Sequence, residues 1–114
     1  MKHRDAHGRG DLLRGALEML ILRTLLAEPR HGYAISESIL TSSGEVLEID
    51  EGSLYPALYR MQKRGWIEAS WGRSENNRRA KFYALTDEGR RQYEVARERW
   101  ARFSGAVDRV VEPA

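Results

Sequence analysis

The chain contains no cysteine. Disulfide frameworks, iron–sulfur clusters, thiol nucleophiles and cysteine-ligated zinc sites are therefore excluded, and a cytoplasmic setting is the default expectation. Long hydrophobic runs are missing too. The most apolar stretch, residues 12–26, is interrupted by Arg14, Glu18 and Arg23, and falls short of the roughly 20 mostly uncharged residues that a membrane span requires. The basic N-terminus is not followed by an apolar region with a small-residue cleavage site, so no secretory signal is expected. Glycine loops of the P-loop or Rossmann type are absent, and no Ser, His and acid are arranged as a triad. His3 and His7 have the spacing of a helical metal pair but lie in an arm without a third ligand, so neither a metal nor a cofactor is expected. Nothing favours an enzyme.

A marked excess of charge is also lacking: 19 Lys and Arg against 17 Asp and Glu leave +2. The distribution is uneven. Residues 1–30 sum to +2, and residues 31–52 hold five acids and no Lys or Arg. Residues 53–83 carry Arg60, Lys63, Arg64, Arg73, Arg78, Arg79 and Lys81 against Glu68 and Glu75, a sum of +5. Residues 84–114 balance six against six. A basic block in mid-chain, concealed by a near-neutral total, is the footprint of a nucleic-acid surface.

The 114 residues suffice for one compact domain. Residues 1–10, rich in Gly, His and basic residues, read as a disordered arm. Asp11 is a plausible N-cap for a first helix whose apolar positions, Leu13, Ala16, Leu17, Leu20, Ile21 and Thr24, run to a stop at Glu28-Pro29. Leu12, Met19, Leu22, Leu25 and Leu26 widen that stripe, so this helix should be packed on more than one face. A second helix fits residues 33–42, with Ala34, Ile35, Ile39 and Leu40 inward, Gly44 as its stop and His31 as an anchor for its first turn. Residues 46–49 are β-prone. A third helix ends at Gly65; it starts either at Ser53, with Pro56 in the first turn, or at Asp50, with Pro56 forfeiting one hydrogen bond.

From Trp66 the apolar period shortens to two, with Ile67, Ala69 and Trp71 on one face. A polar turn over residues 72–78 and a second strand over residues 79–85 complete a β-hairpin. Thr86, followed by Asp87 and Glu88, opens a last helix. Its Tyr93, Ala96, Trp100, Phe103, Val107 and Val110 follow a heptad seam, with Ser104-Gly105 weakening the far end. The predicted fold is mainly α with a β-hairpin wing: a winged helix-turn-helix over residues 11–85 and a C-terminal dimerisation helix over residues 86–112.

On the third helix, Leu54, Leu58 and Met61 form the buried stripe, while Tyr55, Tyr59 and Lys63 line the far side beside Ser53, Pro56, Arg60 and Arg64. Taken alone, this face reads as a solvated surface. Ahead of a basic hairpin it reads as a major-groove surface, where hydrogen-bonding and cationic groups are required. The turn, with Arg73, Ser74, Asn76, Asn77, Arg78, Arg79 and Lys81, suits phosphate or minor-groove contact. A 25-residue last helix is about 37 Å long at 1.5 Å per residue, more than the preceding domain covers. The same helix or the first helix of a second subunit is the expected partner. Trp100 serves either as packing or as a flat stacking surface for a planar ligand.

Together, His31-Gly32-Tyr33-Ala34-Ile35, Gly52-Ser53-Leu54-Tyr55-Pro56-Ala57-Leu58, Gly65-Trp66-Ile67 and the run from Arg79 to Gly89 resemble the PadR family of bacterial transcriptional regulators over about residues 12–104. The resemblance implies a DNA-binding protein that dimerises through its C-terminal helix and usually represses a neighbouring gene until a small molecule relieves it, a phenolic acid in some members, a drug or no known ligand in others. The expected function is accordingly a cytoplasmic, nucleoid-associated homodimeric repressor of a pseudo-palindromic operator, with a small aromatic effector as one option. The resemblance matches Tyr33, Ser53, Tyr55, Pro56 and Lys63 to the helix-turn-helix surface, residues 78–81 to the wing, and Trp100 to an aromatic of the dimer pore. Glu51 departs from the family pattern; near a duplex its carboxylate repels phosphate or accepts from a cytosine amino group. The competing reading is a ligand-sensing or protein-interaction module that no longer reads DNA.

Overall fold

The computed structural model describes residues 16–112. The arm, the Asp11 cap, Leu12, Leu13 and both arm histidines lie outside the described residues. Helix α1 covers residues 16–27. It is followed by β1 (Arg30–His31), α2 (Gly32–Ser42), α3 (Glu51–Lys63), β2 (Ile67–Arg73), β3 (Arg79–Leu85) and α4 (Asp87–Val111). The three strands form one antiparallel sheet in the order β1-β3-β2.

The apolar periodicities converge on one core. Leu17, Ile21, Leu22 and Leu25 of α1 meet Ile35 and Ile39 of α2, and Leu54, Ala57, Leu58 and Met61 of α3. Ile67, Tyr83 and Tyr93 close the cluster from the hairpin and α4. Each fully buried aliphatic side chain contributes about 1.5–3 kcal/mol relative to exposure, which is why α1, buried on several sides, anchors the rest. Among the described residues no helix is long and apolar enough to cross a membrane.

Helices α2 and α3 stop in the same way. The N–H of Glu45 bonds the Leu40 carbonyl and that of Gly44 the Thr41 carbonyl; Trp66 and Gly65 repeat the pattern on Met61 and Gln62. Such a double closure needs a left-handed residue after the cap. Gly44 and Gly65, at φ 66° and 78°, provide it.

Residues 46–49 are not a strand. They run irregularly, carrying Leu47 and Ile49 into the core, and the third strand is Arg30–His31, paired with Tyr83 and Phe82. The edge of β3 that faces α2 is taken by β1, directly ahead of that helix, and among the described residues no other strand pairs with residues 46–49. Helix α4, in turn, continues through Ser104 and Gly105 without a break to Val111.

Candidate nucleic-acid interface

Asp50 opens α3: its Oδ1 accepts the Ser53 N–H at 2.7 Å. The helix therefore takes the earlier of its two possible starts, and Pro56 lies in its second turn. Proline has no N–H to give the Gly52 carbonyl, and both residues are exposed, so that carbonyl is left to solvent on the outer face. Glu51 occupies the first helical position, where a carboxylate complements the helix dipole. Its departure from the family pattern thus has a local structural role. Asp50 and Glu51 also show that the acidic segment is not wholly remote from α3.

Leu54, Ala57, Leu58 and Met61 face inward, and Ser53, Tyr55, Pro56, Tyr59 and Lys63 are exposed together. The Lys63 ammonium leans over the Tyr59 ring at 5.6 Å. Arg60 departs from the expected reading surface. It lies at the edge beside α1, where Glu18 meets its Nε at 3.5 Å and the Arg64 Nη1 at 3.3 Å. Helical spacing places Arg60 one step from the outer face but does not reveal Glu18 across the interhelical gap.

Tyr33, 68% exposed, stands at the start of α2. There His31 caps the helix, its Nδ1 accepting the Ala34 N–H at 3.1 Å. The imidazole also packs edge-on against Phe82, centroids 5.3 Å apart. His31→Ala should therefore cost about 1–2 kcal/mol, and His31→Asn should recover the capping part. Urea denaturation of the three proteins measures both. Tyr55 lies so close over Gly32 that a Cβ there would meet its Cε1 at 2.9 Å, which ties α3 to the start of α2. Burial first, then the nearby Tyr55 phenol, push the Tyr83 hydroxyl above its ordinary pKa, so it stays neutral.

In the wing, the pairs Trp71↔Lys81 and Arg73↔Arg79 share the face that Ala69↔Tyr83 presents to the core. Beyond Ala69 that face overhangs the core and becomes cationic. Asn77, expected to touch nucleic acid, has the left-handed turn conformation, φ 60°, which asparagine tolerates. Its carbonyl accepts from the Arg73 Nη1 at 3.2 Å. Among the described residues, Arg78 is tied only through its backbone, to Ser74. Lys63, Arg73, Arg78, Arg79 and Lys81 have no carboxylate within ion-pair distance among the described residues. Trp71, 59% exposed under the Arg79 guanidinium, is the residue that sequence reasoning missed. Its signal was the 67-69-71 alternation running past the end of the core.

Helix α4 starts on Thr86, whose Oγ1 accepts the Gly89 N–H at 3.0 Å and donates to the Gly65 carbonyl at 2.6 Å. Hydrogen bonds from Gln92 and then Arg91 hold the Glu88 carboxyl below its ordinary pKa; whatever they add to stability is present at neutral pH and lost on acidification. Tyr93, expected at a subunit seam, is instead buried in the chain's own core, and Ala96 is half-buried. Heptad spacing identifies a shared face, not its owner. Trp100, Phe103, Val107 and Val110 are exposed, the first two rings 6.0 Å apart.

The family model described as "Transcriptional regulator PadR-like family" matches residues 21–95. An uncharacterised protein of Lysinibacillus sphaericus is 32% identical over 104 residues, 91% of this chain and 95% of that one. A Clostridium thermocellum transcriptional regulator superposes with TM-score 0.81 and 31% identity, covering 90% of this chain and 99% of its own. A PadR-like transcriptional regulator of Bacillus cereus gives 0.78 and 32%, covering 91% and 99%. With the family model matching two thirds of its length and its four helices and three-stranded sheet superposing on these regulators, the chain belongs to the PadR-like family of transcriptional regulators, winged-helix proteins that act by binding DNA.

Proposed function

We propose that this chain is a homodimeric repressor of a pseudo-palindromic operator. The α3 of each subunit enters a major groove through Tyr55, Tyr59 and Lys63, with Ser53, Pro56 and Tyr33 alongside. The wing reaches the neighbouring backbone or minor groove through Arg73, Arg78, Arg79 and Lys81. The observation that carries this reading is that five cations on α3 and the wing have no carboxylate partner among the described residues. Cations whose charge no internal carboxylate cancels are available to neutralise phosphate. The exposed α4 seam is the proposed dimer surface, and Trp100 beside Phe103 is the proposed stacking surface for a small aromatic effector that releases the operator.

A titration of the wild type on the promoter of its own gene, at two salt concentrations, tests this. Affinity should fall steeply with salt. The Arg79→Ala, Lys81→Ala double variant should bind more weakly and with a salt slope reduced by about four per dimer, two cations being lost from each subunit, its fold intact, while Trp100→Ala keeps the slope. Salt-indifferent binding, or binding to no duplex, overturns the reading. If only Trp100→Ala alters ligand or partner binding, the module without DNA readout is favoured instead.

A further inference from the structure

We propose that Trp71 is a positioning residue of the wing, whose indole holds the Arg79 guanidinium at a defined place for contact with the phosphate-lined groove of a duplex. This rests on the DNA-binding reading above and adds a role for a residue that need not itself touch DNA.

The pairing register poses the problem. Arg73 and Arg79 lie directly opposite each other on one face of the hairpin, and like charges so placed repel. The structure separates them. Arg73 turns toward the tip, its Nη1 donating to the Asn77 carbonyl at 3.2 Å. Arg79 turns the other way, diagonally across the ladder, and its Cζ lies 4.2 Å from the centre of the Trp71 ring. Two other cations lie over aromatic rings, Lys63 at 5.6 Å and Arg64 at 5.1 Å. Both are looser, and Arg64 is also paired with Glu18.

The choice of an aromatic partner has a consequence for binding. A carboxylate could hold Arg79 equally well, but it would cancel the charge that phosphate must meet. An indole face attracts the guanidinium through its quadrupole and carries no net charge, so Arg79 is oriented and remains fully cationic. It also accounts for Trp71 itself, a large apolar side chain beyond the edge of the core and mostly exposed. Ordering a long side chain on binding costs entropy; Arg79 has surrendered part of that freedom before the duplex arrives.

The test uses the full chain, a duplex carrying the promoter of its own gene, and the variants Trp71→Leu, Trp71→Tyr, Arg79→Ala and the Trp71→Leu, Arg79→Ala double variant. Trp71→Leu keeps apolar bulk without the quadrupole. It should weaken binding about two- to tenfold with the salt slope and the thermal midpoint unchanged. Trp71→Tyr, which restores a π-face, should recover most of the affinity. Arg79→Ala should lower both affinity and slope, and the double variant should match it. Wild-type affinity in Trp71→Leu, equal weakness of Trp71→Tyr and Trp71→Leu, or additive losses in the double variant each overturn the role of Trp71 and leave the DNA reading intact. Failure of the wild type on every duplex overturns both.

Discussion

Gly89→Ala should lower the thermal midpoint by about 12–24 °C, corresponding to a loss of about 3 kcal/mol, or prevent folding altogether. An added Cβ would overlap the Trp66 carbonyl oxygen and meet Leu85 Cδ1 at 2.8 Å and the Trp66 carbonyl carbon at 3.1 Å. A flexible side chain could move aside, but this carbonyl is pinned. It accepts the Thr86 N–H at 3.1 Å and lies 2.9 Å from the Thr86 Oγ1. Moving it breaks the junction at which β2 begins and α4 is capped. Gly105→Ala, the same change in the same helix, is the control: its nearest foreign neighbour is the end of the Arg109 side chain at 3.8 Å. There alanine should add about 0.5–1 kcal/mol, since glycine is the poorer helix former. Thermal melts of both variants decide the matter, and a Gly89→Ala shift below about 4 °C would mean that the junction yields.

The second large effect concerns assembly. Phe103→Glu should convert a dimer to a monomer in sedimentation and weaken binding to the promoter duplex by about a hundredfold or more. The seam of Trp100, Phe103, Val107 and Val110 is exposed on a helix that leaves the core after Tyr93. A charge at its centre cannot be desolvated cheaply against an apolar partner. Two linked reading helices bind one operator far more tightly than either alone, so losing the link costs more than any single phosphate contact. The winged-helix core, with Phe103 61% exposed, should still fold, with a lower thermal midpoint that no longer depends on protein concentration, because association stabilises the folded wild type by mass action. An unchanged sedimentation coefficient would remove the α4 seam from the dimer proposal.

Local chemistry was legible in the chain. His31, Asp50 and Thr86 have acceptor side chains ahead of helical runs and cap them; Gly44 and Gly65 close two helices. The apolar repeat of α3 and the first two positions of the alternation, Ile67 and Ala69, placed the right side chains against the core. These features depend on residues within a few positions of one another, so periodicity and side-chain chemistry suffice. The same logic failed at residues 46–49, where core burial of Leu47 and Ile49 took the place of strand pairing, and at Tyr93, whose heptad position belonged to its own core.

The charged residues show the division most clearly. Composition and order alone establish that positive charge concentrates between Ser53 and Tyr83, on a helix and a hairpin. Which of those charges remain available depends on residues distant in the chain. Glu18 engages Arg60 and Arg64 from 42 and 46 positions away, and Asn77 turns Arg73 away from Arg79. Arg79 finds an indole eight residues back, across the hairpin. Sequence spacing states which side chains share a surface. Only packing in three dimensions brings a carboxylate, a carbonyl or a ring within the few ångströms over which electrostatic attraction decides whether a cation is spent inside the protein or kept for DNA.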